Sequence, residues 1–232
     1  MIRLNKKLVS IGYCSRRNAD KLIESGRVYV NGKAAILGQI INDDDKIMID
    51  GDIISNDDEK IILAYNKPKG VICTESKVEK QTKISDLIKD FGIDKRLFTV
   101  GRLDKDTTGL IIITNDGELS KKITDTKNNY EKEYEVLVNK EINDEFVKSL
   151  EKGVYIEDLD RTTLPAKVKI DKKNKKRFNI TITQGLNRQV RRMCRALGYH
   201  VYQLNRIRIM KLKLNGLKIG EYRYITKKEI GI

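Results

Sequence analysis

The sequence is poor in the residues that form disulfides, zinc sites and histidine-dependent catalytic groups. Its 232 residues include three cysteines, one histidine, two prolines and no tryptophan. Cys14, Cys73 and Cys194 lie far apart without a C-x-x-C spacing, which argues against a disulfide framework and against a zinc site. Because His200 is the single histidine, a site with several histidine ligands is excluded. We therefore expect no metal and no small-molecule cofactor, and chemistry carried by carboxylate, tyrosine, lysine or arginine side chains.

Long apolar segments are also absent from the sequence. No apolar run approaches the ~18 to 20 residues that a membrane-spanning helix needs. The N-terminal residues lack the apolar stretch of a signal peptide. A hydrophobic fraction of 39% is nevertheless enough for a folded core in a chain of this length. The sequence thus predicts a cytoplasmic, globular protein with one large or two modest domains.

Positive charge exceeds negative charge, and the excess is concentrated in one part of the chain. Forty-seven Lys and Arg against 33 Asp and Glu give a net charge of +14. Residues 166–213 contain fifteen of the basic residues and one acidic residue, Asp171, so the rest of the chain is neutral. Within that remainder a basic segment, residues 1–35, precedes an acidic one, residues 36–60. This distribution indicates an anionic partner, either nucleic acid or an acidic membrane surface.

The first 33 residues carry the signals of two short helices and a hairpin. The predicted elements are a helix over 3–10, a second helix between the N-cap Ser15 and Gly26, and a strand over 28–30 that turns at Asn31-Gly32. This stretch, residues 3–33, resembles the S4 RNA-binding domain. The resemblance predicts that the N-terminal part of the chain binds RNA.

Four basic residues of the S4-like stretch are predicted to contact RNA. Arg16 and Arg17 fall in the first turn of the second predicted helix, where positive charge opposes the helix dipole at about 0.3–1 kcal/mol each. Surface arginines exposed to solvent would fit the sequence equally well, but the unfavourable placement favours contacts with phosphates. Arg3 and Lys33, at the two ends of the stretch, complete the predicted set.

Beyond residue 60 the sequence is predicted to be rich in strands. Strands are predicted over 61–65, 70–74, 97–100, 110–114, 133–138, 166–170 and 178–183, and helices over 84–90, 116–124, 143–151 and 188–197. Strands and helices do not alternate regularly, which is typical of an α+β domain with a largely antiparallel mixed sheet and flanking helices. The acidic segment 51–60 is the best candidate linker. We therefore predict a small N-terminal domain with this linker, residues 1–58, and a second domain, residues 59–232.

A polar loop between two apolar segments is the first candidate for chemistry. It belongs to the segment GRLDKDTTGLIIITNDG, residues 101–117, and carries Asp104 and Asp106. A carboxylate on a loop braced by two core strands is held rigidly beside solvent. An isolated loop aspartate most often stabilises its own turn by an Asx hydrogen bond, and this is our interpretation of Asp106.

A predicted helix with an arginine face is the second candidate. In GLNRQVRRMCRALG, residues 185–198, two sets of four residues recur at i, i+3, i+4 and i+7. The apolar set is Val190, Met193, Cys194 and Leu197, and the basic set is Arg188, Arg191, Arg192 and Arg195. The two sets lie on nearly opposite faces of a helix. Because four like charges at this spacing repel one another, the pattern favours a polyphosphate partner over a merely solvated face.

Together these segments resemble the RsuA-type pseudouridine synthases, in which an S4 domain precedes the catalytic domain. The family's signature is matched by GRLD at 101–104, its first motif by NKPKG at 66–70, its tyrosine motif by KEY at 132–134 and its C-terminal motif by RQVRRM at 188–193. With the S4-like stretch, the resemblance covers essentially the whole chain. Small-subunit relatives tend to carry His and Lys where this chain has Arg188 and Arg191. The segments 185–194 and 206–210 are most similar to the RluF-like branch, which acts on large-subunit ribosomal RNA.

The resemblance implies an enzyme that isomerises a specific uridine to pseudouridine in ribosomal RNA, with 23S RNA as the expected target and no cofactor. A second structured RNA remains open as a partner, and no membrane partner is expected. By resemblance Asp104 is the catalytic nucleophile, Arg191 pairs with Asp104, and Tyr134 stacks on the uracil. Leu204 is expected to form an apolar wall of the pocket. Contacts to the RNA backbone are expected from residues beside the two motifs, namely Arg102, Lys105, Asn187, Arg188, Gln189 and Arg192.

The chemistry itself leaves the role of the carboxylate open at this stage. Isomerisation breaks the bond between C1′ and N1 and joins C5 to the same sugar carbon, with no change of redox state. A carboxylate can act as a nucleophile at the sugar or at the base, or it can remove a sugar proton.

Two other functions would fit parts of the sequence. A non-enzymatic S4-type RNA-binding or ribosome-assembly factor could keep this scaffold, but it would be expected to lose Asp104 or Tyr134, and both are present. A two-metal nuclease could use Asp104 and Asp106 as ligands, but such a site needs more carboxylates than the loop offers.

Overall fold

The computed structural model describes residues 1–54, 59–74 and 81–232. Its N-terminal part contains two short helices and several short strands. In chain order these are β1 (Ile2–Arg3), α1 (Leu4–Ser10), α2 (Arg16–Glu24), β2 (Val28–Val30), β3 (Lys33–Ala34), β4 (Ile40–Ile41), β5 (Ile47–Ile49) and β6 (Asp52–Ile53). Strands β3, β2, β5 and β6 form an antiparallel sheet in that order, and β1 pairs with β4. The two predicted helices and the strand over 28–30 are confirmed.

Local hydrogen bonding and backbone geometry explain where these elements begin and turn. The Ser15 hydroxyl accepts a hydrogen bond from the Asn18 N–H at 3.3 Å and so caps α2, as predicted. Asn31 and Gly32 have φ values of 50° and 78°, as expected of the tight two-residue turn between β2 and β3. Apolar residues of both helices pack with residues of the strands into one core, which includes Leu4, Leu8, Ala19, Ile23, Val28, Ile41, Ile47 and Ile49.

The predicted linker is partly structured. Asp52 and Ile53 pair with β5 as the last strand of the small sheet, so the first part of segment 51–60 belongs to the N-terminal fold. The proposed boundary at residue 58 falls within 55–58, outside the described residues.

The larger part of the chain is built around one mixed sheet. Its elements are β7 (Ile62–Lys67), α3 (Ile84–Lys89), β8 (Phe98–Thr99), β9 (Thr108–Thr114), α4 (Gly117–Thr124), β10 (Lys132–Val138), α5 (Asp144–Lys152), β11 (Tyr155–Ile156), β12 (Arg161–Thr162), β13 (Lys167–Ile170), β14 (Arg177–Ile182), α6 (Gln189–Ala196), β15 (Val201–Ile209), β16 (Leu212–Lys213), β17 (Tyr222–Tyr224) and α7 (Lys227–Ile230), with 3-10 turns at Thr126–Asn128 and Glu157–Leu159. In the described residues the main path of the sheet is β13-β14-β10-β15-β9-β7-β17, with β16 beside β15 and β8 beside β9. The pairing of β15 with β9 is parallel and the other pairings are antiparallel. The α+β class with a largely antiparallel mixed sheet and flanking helices is confirmed.

The two central strands β7 and β9 are buried on both sides. Ile62 and Ala64 belong to one hydrophobic cluster, whereas Leu63 and Tyr65, the alternate residues, belong to another on the opposite face. The residues of β9 divide in the same way. Burial on both faces explains the continuous apolar run LIIIT that leads out of the GRLD loop. The loop therefore leads directly into a strand that is buried on both faces.

Two details of the predicted strands are wrong. The segment 70–74 forms no strand in its described length: Ile72 makes only an isolated parallel bridge with Lys83, because Gly70 turns the chain with φ 89°. The longest strand, β15, was not predicted. Its sequence, VYQLNRIRI, does not alternate strictly between apolar and polar residues, so the strand signal is weak. In the structure, bulges interrupt its pairing with β10.

Candidate active site

One cavity of about 440 Å³ opens on the face of the sheet and is lined by residues of three motifs of the larger domain, GRLD, KEY and RQVRRM. Asp104, Tyr134 and Leu204 lie together in its wall. Of the predicted RNA contacts, the cavity is lined by Arg102, Lys105, Asn187, Arg188 and Gln189. Its volume falls in the range of about 300–1,000 Å³ that is usual for small-molecule sites. Segments distant in sequence therefore converge on one place.

The loop that carries Asp104 is held by its backbone. The Thr107 N–H donates to the Asp104 carbonyl at 3.0 Å, and the Gly70 N–H donates to the Lys105 carbonyl at 2.8 Å. The Asp104 side chain is half-buried at the cavity wall, whereas Asp106 is exposed. Among the described residues the Asp106 carboxylate makes no hydrogen bond, so the predicted Asx bond in this turn is wrong. The turn is closed by main-chain atoms instead.

Lys67 is fully buried beneath this loop and was missing from the predicted site. Its ammonium donates to the carbonyls of Val71 at 2.7 Å and Pro68 at 2.9 Å, and it lies 3.5 Å from the carbonyl of Lys105. Burial lowers the pKa of Lys67, although the charges of Asp104 and Asp106 act in the opposite direction. Lys67 therefore joins the NKPKG segment to the GRLD loop and places a positive charge behind Asp104.

Tyr134 lies on β10 in the middle of the cavity floor. Its cross-strand neighbours are Arg206 on β15 and Ile180 on β14. Leu204 is buried and pairs with Val136 on the same face of the sheet, two residues along each strand. This arrangement gives the cavity an aromatic floor and an apolar wall, the two surfaces that were expected to hold a uracil ring.

Arg191 does not form the predicted ion pair with Asp104. Its guanidinium donates to the backbone carbonyls of Val201 at 3.1 Å and Asp106 at 3.0 Å. Within residues 1–54, 59–74 and 81–232 it has no carboxylate partner, and its Nε is buried without a hydrogen bond. Burial, followed by the charge of Arg188, lowers the pKa of Arg191, while Asp106 and Asp104 act to raise it. The prediction of a direct pair is wrong because the fold uses this arginine to tie the GRLD loop to β15.

The arginine face of α6 is not uniformly available to RNA. The apolar face is buried as predicted, through Val190, Met193 and Cys194. Arg192 and Arg195, however, both pair with Asp158, which comes from the turn between β11 and β12. The expectation of four guanidinium groups presented together is therefore wrong, because periodicity within one helix cannot reveal an acidic partner more than thirty residues away.

Gln189 and Arg192, two predicted RNA contacts, make side-chain hydrogen bonds within the protein. Gln189 is 4% exposed, and its side chain bonds to the Leu186 N–H at 3.1 Å and to the Gln184 side chain at 2.9 Å. Arg192 donates to both the carbonyl and the side-chain oxygen of Asn187, at 3.0 and 3.1 Å. Gln189 therefore shapes the turn before α6.

The remaining predicted RNA-binding residues are exposed. In the larger domain these are Arg102, Lys105, Asn187 and Arg188, at the rim of the cavity. Arg188 is the N-cap of α6 and has a left-handed backbone conformation with a φ of 51°. In the N-terminal part Arg3, Arg16, Arg17 and Lys33 are exposed as well.

Lys132 and Arg206 also line the cavity and were not predicted as site residues. Lys132 belongs to the KEY motif and Arg206 to segment 206–210, but only the sheet register shows that Arg206 lies opposite Tyr134. The described residues contain no group of three His, Cys, Asp or Glu side chains that could hold a metal ion, so the nuclease alternative lacks a ligand set. No helix in the described part of the chain is long and apolar enough to cross a membrane.

Comparison with known proteins agrees with this geometry. The family model for RNA pseudouridylate synthase matches residues 61–196, and the S4 domain model matches residues 2–47. The chain is 42% identical over 232 residues to the dual-specificity RNA pseudouridine synthase RluF of Escherichia coli K12, covering 99% of this chain and 77% of that protein. It is 37% identical over 235 residues to the ribosomal large subunit pseudouridine synthase B of Bacillus subtilis, covering 99% and 94%. A crystal structure of a pseudouridylate synthase aligns with a TM-score of 0.70 at 31% identity, covering 99% of this chain and 98% of that one. The chain thus belongs to the RNA pseudouridine synthases that carry an N-terminal S4 domain.

Proposed function

We propose that this protein converts a specific uridine of large-subunit, 23S ribosomal RNA to pseudouridine, with Asp104 as the nucleophile and without a cofactor. The observation that carries the proposal is the convergence of Asp104 and Tyr134 on one cavity whose rim is basic. The carboxylate lies on a loop that is held by backbone hydrogen bonds and by the side chains of Lys67 and Arg191. A fixed nucleophile beside an aromatic floor suits a reaction that turns a base within its pocket.

The proposed chemistry begins with breakage of the bond between C1′ and N1. The Asp104 carboxylate bonds to C1′ as the bond to N1 breaks, the base takes the electron pair of the broken bond, and the ring turns while it stays in the cavity. C5 then bonds to C1′, the carboxylate is released, and the proton on C5 is lost. Tyr134 is placed to stack on the ring during the turn, and its hydroxyl can relay the C5 proton.

The target uridine has to leave its RNA stack before it can reach Asp104. Extrusion costs a few kcal/mol, which contacts inside the pocket and along the RNA backbone offset. Arg102, Lys105 and Arg188 at the rim are suited to the backbone contacts because they are charged and exposed.

The choice of large-subunit RNA is supported by the relatives. One is named a ribosomal large subunit pseudouridine synthase, and another is named a dual-specificity RNA pseudouridine synthase. A second structured RNA substrate is accordingly part of the proposal. Arg188 and Arg191 stand where small-subunit relatives tend to have His and Lys, which favours the same assignment.

We assign residues 1–58 to an S4-like RNA-binding domain and residues 59–232 to the catalytic domain. The separate hydrophobic core of the N-terminal part supports this division. In this arrangement the N-terminal domain holds the RNA and raises the effective concentration of the target uridine at the cavity.

Mapping pseudouridine chemically across all ribosomal and transfer RNA tests the proposal. Cells that lack the protein should lose pseudouridine at one or a few sites of 23S RNA, and the parent gene should restore them. Asp104→Ala should not restore them, although the protein accumulates normally. Unchanged RNA in the deletion strain would refute the activity, and loss confined to 16S RNA would refute the target. Restoration by Asp104→Ala would favour the alternative of a non-enzymatic assembly factor.

A further inference from the structure

The floor of the cavity contains a buried arginine whose hydrogen-bonding capacity is not used. Arg206 is 5% exposed, and its Nε donates to the Leu110 carbonyl at 2.7 Å. Its Nη2 is buried and has no hydrogen-bond partner within the described residues. Arginine stays charged in proteins, and a buried donor without a partner costs free energy. A bound molecule that accepts this hydrogen bond would remove that cost.

The sheet register places Arg206 next to the residue expected to hold the base. Arg206 is the direct cross-strand partner of Tyr134, and Lys132 precedes Tyr134 by two residues on the same face of β10. All three side chains line the cavity together with Asp104. The Lys132 ammonium donates to the carbonyl of Tyr130 at 2.9 Å and lies 3.4 Å from that of Thr183, so it is fixed by neutral groups. The floor thus carries two fixed positive charges, one across the strand from Tyr134 and one two residues before it on β10.

Among the described residues that line the cavity, Asp104 is the one acid, and it forms no ion pair with the cations of the floor. In the part of the chain that the structure describes, neither Lys132 nor Arg206 forms an ion pair. Burial, followed by the charge of Arg206, lowers the pKa of Lys132. The cavity therefore favours a ligand group that is an acceptor, and more strongly one that becomes negative.

We propose that Arg206 donates through Nη2 to a carbonyl oxygen of the bound uracil and stabilises the negative charge that the base acquires when its bond to C1′ breaks. Lys132 supplies a second, weaker positive charge beside it. The inference rests on the proposed isomerisation at this cavity. Heterolysis passes both bonding electrons to the base, and the resulting anion shares its charge between N1 and the carbonyl oxygens. A fixed cation binds this anion more tightly than it binds neutral uridine, so it accelerates the reaction.

A phosphate is a less suitable ligand for Arg206. The RNA backbone meets the rim, where Arg102 and Arg188 are exposed, whereas Arg206 lies at the bottom of the cavity beside the Tyr134 ring. The two ligands predict different kinetics. A phosphate contact would change RNA affinity, while stabilisation of the departing base changes the rate of the bound complex.

The test compares Arg206→Met with the parent in single-turnover assays at saturating RNA, using uridine and 5-fluorouridine at the target position. Fluorine makes the departing base a more stable anion, so less help is needed from the protein. We expect Arg206→Met to slow cleavage of the C1′–N1 bond of the uridine substrate by about a hundredfold or more. The loss with 5-fluorouridine should be clearly smaller, and RNA affinity should be unchanged.

Arg208→Met is the matched control, because Arg208 lies on the same strand but pairs with Glu131 and Glu133 outside the cavity. It should slow the two substrates equally or not at all. Equal losses for Arg206→Met on both substrates, a parent-like rate, or rescue at higher RNA concentration would overturn the proposal. If Arg206→Met does not fold, Arg206→Lys decides in its place: a smaller loss on 5-fluorouridine than on uridine supports the proposal, and equal losses overturn it. Parent enzyme that forms no pseudouridine in this assay would instead refute the proposed function.

Discussion

The floor of the cavity and its rim hold positive charge in opposite ways. On the floor, the partly buried Lys132 and the buried Arg206 donate to backbone carbonyls at fixed positions, as does the buried Lys67 beneath the GRLD loop. At the rim, Arg102 and Arg188 are exposed and free to follow the RNA backbone. Fixed charges in a dry site act strongly on atoms that gain charge during a reaction, whereas exposed charges are screened by salt. The floor should therefore control the rate, and the rim and N-terminal domain should control affinity.

Among the residues that line the cavity, apart from Asp104, we expect Tyr134 to have the largest effect on the reaction rate. Tyr134→Leu removes both the ring face and the hydroxyl, so the single-turnover rate should fall by about a thousandfold, within the range for lost acid–base groups. Tyr134→Phe keeps the face and loses only the hydroxyl. If Tyr134→Phe cleaves the C1′–N1 bond faster than Tyr134→Leu does but forms little pseudouridine, the stacking role is separated from the proton relay. Indistinguishable defects would show that one of the two roles does not exist.

Arg191 joins the catalytic loop to β15, and we expect its replacement to have the next largest effect on the reaction rate. Arg191→Gln loses the charge and at least one of the two carbonyl contacts, and we expect the single-turnover rate to fall by about a hundredfold. Arg191→Lys keeps the charge and can reach one carbonyl, so it should retain more activity than Gln. Rates measured for the two variants on the same RNA decide this. A fully active Arg191→Gln would show that the bridge does not position Asp104.

Lys67 should affect both the rate and the alkaline stability. Lys67→Met removes the donor shared by the Val71 and Pro68 carbonyls, and we expect a rate loss of about ten- to a hundredfold as the loop shifts. Because burial lowers the pKa of Lys67, the unfolded chain binds more protons than the folded chain just below the ordinary value of 10.5. Lys67 therefore makes parent stability rise with pH in that window.

Urea denaturation at neutral and alkaline pH measures this contribution of Lys67. The stability of the parent should improve relative to Lys67→Met as the pH rises. If the difference in stability between the parent and Lys67→Met is the same at every pH, and the rate is unchanged, Lys67 has neither of the roles proposed for it.

Arg16 and Arg17 test whether the N-terminal domain controls RNA affinity. Their replacement should have the smallest effect on the reaction rate. Replacing both with Gln should weaken RNA binding and reduce the dependence of log K on log salt by roughly 0.7 to 0.9 for each lost phosphate contact. The loss should appear in kcat/KM at low RNA and vanish at saturation. Titrations at several salt concentrations, with Lys21→Gln on the same helix as a control, measure the slope. A lower single-turnover rate at saturating RNA would place the N-terminal domain in catalysis.

The same division explains how much the sequence could predict. The short motifs located Asp104, Tyr134 and Leu204 because local patterns and a family resemblance mark them, and the apolar face of α6 followed from its periodicity. Arg206 was not predicted because its place beside Tyr134 depends on the cross-strand register of β15. The mixed composition of β15 meant that the strand itself was not predicted. The pairing of Arg192 and Arg195 with Asp158 escaped for the same reason, since it joins distant segments.

The most direct test of the account is a single-turnover comparison of Asp104→Asn with Asp106→Asn on one RNA at saturation. The two aspartates share a loop, but Asp104 lines the cavity and Asp106 is exposed with its carboxylate unused. We predict that Asp104→Asn binds RNA like the parent and forms no pseudouridine, while Asp106→Asn keeps most of the parent rate. Substantial turnover by Asp104→Asn, or equal loss in both variants, would contradict the assignment of Asp104 as the nucleophile.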